Sequence, residues 1–93
     1  MRLASSGMEA DADSFFVAEC FWPGVREADM QALEERIHVA LADGVRYLGS
    51  LLMRADEVVL CQFEGRADAV RETAERARIP FERILESARS PWT

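Results

Sequence analysis

Apolar positions recur along this chain at two periods, and the switches between them lay out its elements. Residues 14–22 are rich in aromatic and β-branched side chains and divide at period two into two sets. Phe16, Ala18, Cys20 and Trp22 carry no charge, whereas Phe15, Val17, Glu19 and Phe21 carry one carboxylate. This predicts a central strand whose uncharged side meets helices. Pro23-Gly24 ends it. Met30, Leu33, Ile37 and Leu41 then recur at helical spacing, with Glu27 and Asp29 at the start, where negative charge suits the helix dipole. Asp43-Gly44 predicts a left-handed residue closing this helix.

Residues 45–53 and 58–64 return to period two, joined by a tight connection at Arg54-Ala55-Asp56-Glu57. With an even turn, Leu48, Ser50 and Leu52 share a side with Val59, Cys61 and Phe63. Tyr47, Gly49, Leu51 and Met53 then share the other side with Val58, Leu60, Gln62 and Glu64. Ala67, Val70, Ala74 and Ala77 mark a second helix with a narrow small-residue stripe, stopped by Ile79-Pro80, and residues 81–87 read as a short fourth strand.

The order β-α-β-β-α-β is the split βαβ arrangement, an α+β, ferredoxin-like fold in which two helices cover one face of a four-stranded antiparallel sheet. Right-handed crossovers place the first and third strands side by side in its middle. The domain occupies residues 14–88, with a loose Ala/Ser/Gly-rich tail at 1–13 and a short tail at 89–93. The face away from the helices then carries Phe15, Val17, Phe21, Tyr47, Leu51, Met53, Val58 and Leu60. That is more apolar surface than a soluble monomer exposes, which predicts a homodimer packed sheet on sheet.

Composition narrows the function. Ninety-three residues make one domain, and a net charge of −6 excludes the basic footprint that nucleic acid requires. No apolar run approaches a membrane span, and residues 1–13 contain no secretory h-region, so the expected compartment is the cytoplasm. All eleven basic residues are Arg. Those on the second helix interleave with Asp68, Glu72 and Glu75, as on a solvated, salt-bridged face. Cys20 and Cys61 form no CxxC motif and read as buried thiols acting as small hydrophobes.

Candidate chemistry centres on Glu19, because a carboxylate on an apolar central strand needs a partner. Arg83 reaches it if the fourth strand lies beside the first with Phe81, Arg83 and Leu85 on the open face. The alternative is a ligand-binding or proton-transfer role, with Tyr47 and Gln62 completing a small polar pocket. His38, the only imidazole, has Glu34 and Glu35 within one helical turn and is a weak metal signal. No nucleophile–base arrangement or phosphate loop is present in the sequence, which favours a binding module over an enzyme. The rival readings are an enzyme or small-ligand carrier of the dimeric α/β-barrel type using Glu19, and a purely structural interaction domain.

Several blocks also resemble one family. They are Val17-Ala18-Glu19 running to Pro23-Gly24-Val25, residues 44–50 (GVRYLGS), Cys61-Gln62-Phe63-Glu64, Ala69-Val70-Arg71-Glu72 and residues 79–84 (IPFERI). Together they resemble a family of small bacterial domains of unknown function with a ferredoxin-like fold, some of which are nickel-binding dimers. The resemblance implies a homodimer and nickel as the metal. Cys20 and Thr73 stand where many members have Arg and His.

Overall fold

The computed structural model describes residues 14–87; the two expected tails, 1–13 and 89–93, and Ala88 at the expected end of the domain lie outside the described residues. Its elements are β1 (Phe15–Phe21), α1 (Glu27–Ala40), β2 (Arg46–Met53), β3 (Val58–Glu64), α2 (Ala67–Arg76) and β4 (Arg83–Ser87). All pairings are antiparallel and the strand order is β2-β3-β1-β4. This is the ferredoxin-like α+β fold, with β1 and β3 in the middle. Phe16, Ala18 and Cys20 from β1 and Val59, Cys61 and Phe63 from β3 are buried against Leu33, Ile37 and Ala40 of α1 and Val70, Thr73 and Ala74 of α2. Period-two alternation in the two central strands therefore produces the core directly.

Local chemistry fixes the joints. The Asp29 carboxylate accepts the Arg26 N–H at 2.9 Å, satisfying a donor at the start of α1. Met53 stands opposite Val58, so Arg54-Ala55-Asp56-Glu57 is a four-residue connection, as the spacing predicts. The Glu57 carbonyl accepts Trp22 N–H at 2.8 Å and its carboxylate accepts Gly24 N–H at 3.1 Å. The hairpin tip thereby ties down the end of β1.

Four details differ from the sequence expectations. Tyr47 stands opposite Phe63 while Gly49 stands opposite Gln62, so Leu48 is the extra residue of a β-bulge. The bulge slips the alternation by one place, moving Tyr47 to the helix side and taking Leu48 out of the set with Ser50 and Leu52. Phe81 precedes β4 and packs against the core, under the Arg71 guanidinium at 5.7 Å, rather than on the open face. Helix α1 ends at an extended Leu41, and Gly44, at φ +81°, serves the turn into Val45 instead of the cap. Lastly, Ala67 is exposed and Thr73 takes a place in the buried stripe of α2.

Candidate functional site

The residues singled out from the sequence separate onto the two sides of the sheet. On the open side, Glu19 stands opposite Arg83 of β4, whose Nε donates to Glu19 Oε1 at 2.6 Å. The carboxylate holds the guanidinium even more firmly protonated than usual, first through this hydrogen bond and then through its charge. Gln62 stands opposite Val17 on the same side, one diagonal from Glu19. Arg46 and Glu64 form a second ion pair at 3.0 Å toward the other end of this face. Between and around these pairs Phe21, Leu51, Met53 and Leu85 are 52, 51, 44 and 38% exposed. The open side is thus an apolar surface whose charges already have partners.

Tyr47 belongs to the other side. Its ring packs on Phe63, with centroids 5.4 Å apart, and meets His38 edge-on at 5.6 Å. Its hydroxyl lies 2.5 Å from the Ser50 hydroxyl and donates to Glu34 Oε2 at 3.3 Å. Burial pushes the Tyr47 phenol well above its ordinary range, so it remains protonated. The four-residue pocket of Glu19, Tyr47, Gln62 and Arg83 is therefore not assembled. Instead Tyr47 joins Glu34 and His38, the two residues considered for metal binding.

Those two do not make a metal centre within one chain. The Glu34 carboxylate accepts from Tyr47, and no group of three His, Cys, Asp or Glu side chains able to hold a metal comes together among the described residues. A divalent first-row ion held by one imidazole and one carboxylate lacks the donor set that a nickel site needs. Thr73, at the position where the resemblance suggests an imidazole, is fully buried. Its hydroxyl donates to Ala69 O at 2.9 Å and accepts the Ala42 N–H at 3.0 Å. It closes the backbone after α1 rather than facing a ligand. Thr73→Val leaves that N–H without an acceptor and is expected to cost about 1–3 kcal/mol, read as a lower urea midpoint at unchanged slope.

Ser50 had no signal of its own in the sequence, since its partnership with Tyr47 exists only through the bulge. Four surface hollows, the largest about 440 Å³ between Arg36, Val39 and Arg78, lie elsewhere, and none of the four is lined by Glu19, Tyr47, Gln62 or Arg83. No helix among the described residues is long and apolar enough to cross a membrane.

Comparison with known proteins bears on the fold. No family model and no curated protein matches this chain. Among solved structures it is similar to SCO4226 from Streptomyces coelicolor A3(2), at 22% identity, covering 82% of this chain and 98% of that one, with a TM-score of 0.67. At that identity the likeness speaks for the shared architecture alone, since one fold hosts many functions.

Proposed function

We propose that this chain is a non-enzymatic binding module of the cytoplasm that works as a homodimer, two copies closing their open sheet faces on each other. The observation that carries this reading is the exposure of Phe21, Leu51, Met53 and Leu85 on one side of the sheet, beside half-buried Phe15, Val17, Val58 and Leu60. A contiguous apolar face of this kind calls for a partner, and a second copy offers the same twist and a self-complementary surface. Glu19 and Arg83 suit such an interface, because paired charges lose less on desolvation than lone ones. The two unlinked thiols suit a reducing compartment.

Sedimentation equilibrium of the full chain tests the dimer. The expected mass is twice 10.5 kDa, falling to 10.5 kDa for Leu51→Asp with the circular dichroism spectrum retained. A wild-type chain that stays monomeric at high micromolar concentration overturns the reading. A divalent cargo such as nickel enters the proposal through the family resemblance alone; Glu34 and His38 would supply two of its donors, and the remaining ligands would come from outside this chain. It predicts a nickel-selective rise in melting temperature that His38→Ala abolishes, because a ligand of the folded state stabilises it by mass action. Equal responses to nickel, cobalt, zinc and copper remove the metal from the proposal and leave the dimer standing.

A further inference from the structure

Pairing sets out the open side of the sheet as a grid across β2, β3, β1 and β4. Toward the hairpin, one row is Met53, Val58 and Phe21, and the next is Leu51, Leu60, Glu19 and Arg83. Away from it, Gly49, Gln62, Val17 and Leu85 form the third row, and Arg46, Glu64, Phe15 and Ser87 the last. Three places in this grid are unfinished within one chain. Gln62 is half-buried on a central strand, and its carboxamide has no hydrogen-bond partner among the described residues. Glu19 gives Oε1 to Arg83, which leaves Oε2 to accept. Beside Gln62, Gly49 has open space where a side chain would stand, so the surface has a hole there. Whatever covers this face has to meet the amide and fill the hole, since a buried carboxamide without partners is costly.

A second copy does both in one orientation only. When a two-fold axis relates two sheets face to face, the axis lies in the plane between them, so each residue meets the one at its mirror position across the axis. An axis along the strands sets Leu60 against the partner's Glu19 and Leu51 against the partner's Arg83. An axis across the strands sets Leu60 against the partner's Gln62 and Glu19 against the partner's Val17. The diagonal through Gln62 and Glu19 stacks the two Glu19 carboxylates on each other. Each of these buries a polar group against an apolar or like-charged one. The other diagonal, through Met53, Leu60 and Val17, matches like with like. Gln62 meets the partner's Glu19, Arg83 meets the partner's Glu64, and the half-exposed Phe21 ring falls on the partner's Gly49 and fills the hole. Val58 falls on the partner's Leu51 and Phe15 on the partner's Leu85, while the three residues on the axis meet their own copies. With strands about 4.8 Å apart and rows about 7 Å apart, these matches hold to within about 3 Å, a gap that long side chains span.

We propose, resting on the homodimer put forward above, that the two sheets cross at about a right angle on the Met53–Leu60–Val17 diagonal, and that Gln62 of each copy donates to the partner's Glu19 and so fixes their register. The apolar positions supply adhesion but tolerate sliding. A buried polar contact does not, because a slipped register leaves the amide and the second carboxylate oxygen unmet. Glu19 then accepts from Arg83 of its own chain and from the amide of the other, and its charge is held on both sides. Arg83 faces the partner's Glu64 in turn, so the two ion pairs seen on this face within one chain join across the interface.

Two measurements on the full chain test the arrangement. With a short bismaleimide, Met53→Cys is expected to yield about tenfold or more covalent dimer than Arg46→Cys, because the axis brings the first position to its own copy and leaves the second far to one side. The native thiols are buried and do not compete. In sedimentation equilibrium, Arg83→Glu and Glu64→Arg are each expected to weaken the dimer by about tenfold or more, since each sets like charges against each other twice. Their equimolar mixture is expected to recover the wild-type mass, because both contacts of the mixed dimer again join opposite charges. Equal linking at the two cysteine positions overturns this arrangement, as does a mixture that associates no better than its components. A wild-type chain of dimer mass then still leaves the homodimer standing, whereas a wild-type chain that stays monomeric overturns both. Should a charge variant fail to fold by circular dichroism, the linking yields decide alone.

Discussion

Phe63→Ala is expected to lower the unfolding free energy by about 3–5 kcal/mol. Phe63 is wholly buried on central strand β3, opposite Phe16 on one side and Tyr47 on the other, and its ring touches that of Tyr47. Truncation removes the transfer free energy of the ring and leaves a cavity that two strands, each held by its own ladder, cannot collapse to fill. Domains of this size have about 5–15 kcal/mol in hand, so a large share of the total is at stake. Urea unfolding measures it directly, and the melting temperature should fall by roughly 15 °C or more. Phe21→Ala is the control. Phe21 is about as large but half exposed on the open side, so in a monomeric background its truncation should stay within about 1 kcal/mol. Equal costs at the two positions would mean that the buried face is not the side that holds the fold.

Gly65→Ala is the second large effect, and its origin is the backbone. Gly65 follows β3 at φ +153°, a conformation that side chains with a Cβ rarely adopt. Its N–H donates to Ser14 O at 2.9 Å, holding the start of β1. A Cβ at this position would stand 3.0 Å from Gly44 O and 3.3 Å from Val45 Cα, both backbone atoms that no rotamer change can move. Strain and overpacking add, giving an expected loss of about 2–5 kcal/mol. The measurement is again the urea midpoint, with amide exchange at Gly65 and Val45 as the local reporter. Gly49→Ala offers the contrast: its φ is +111° but open space surrounds the added Cβ, so only the conformational part, about 1–2 kcal/mol, should appear.

Much of the molecule was legible in its sequence. The central strands were, because period two with an uncharged face is a physical requirement of a sheet covered on one side, and Cys20, Cys61 and Phe63 lie where that alternation puts them. So was the Glu19–Arg83 pair, which follows from one carboxylate on an apolar strand and the register of its neighbour. Tyr47 was not. An alternation pattern has no mark for a residue inserted between paired positions, and the single extra residue Leu48 carries Tyr47 from one face to the other. Phe81 escaped for a related reason: its spacing fits a strand, but Pro80 delays pairing until Arg83, and the ring turns to the core. The row from Ser50 through Tyr47 to Glu34 joins β2 and α1, so no local stretch of sequence contains it.

The bulge has one more consequence, for what this chain avoids. Among the described residues the sheet ends in two open borders, β2 and β4, and an unpaired border is a template on which further chains can add strand by strand without limit. Here β2 is kinked at Leu48, and β4 has five residues with Arg83 and Glu86 among them. Both features discourage such growth. The exposed apolar face and the hydrogen-bonding borders point in different directions, so in the proposed dimer contact through the former would close on itself and would not seed a fibre through the latter.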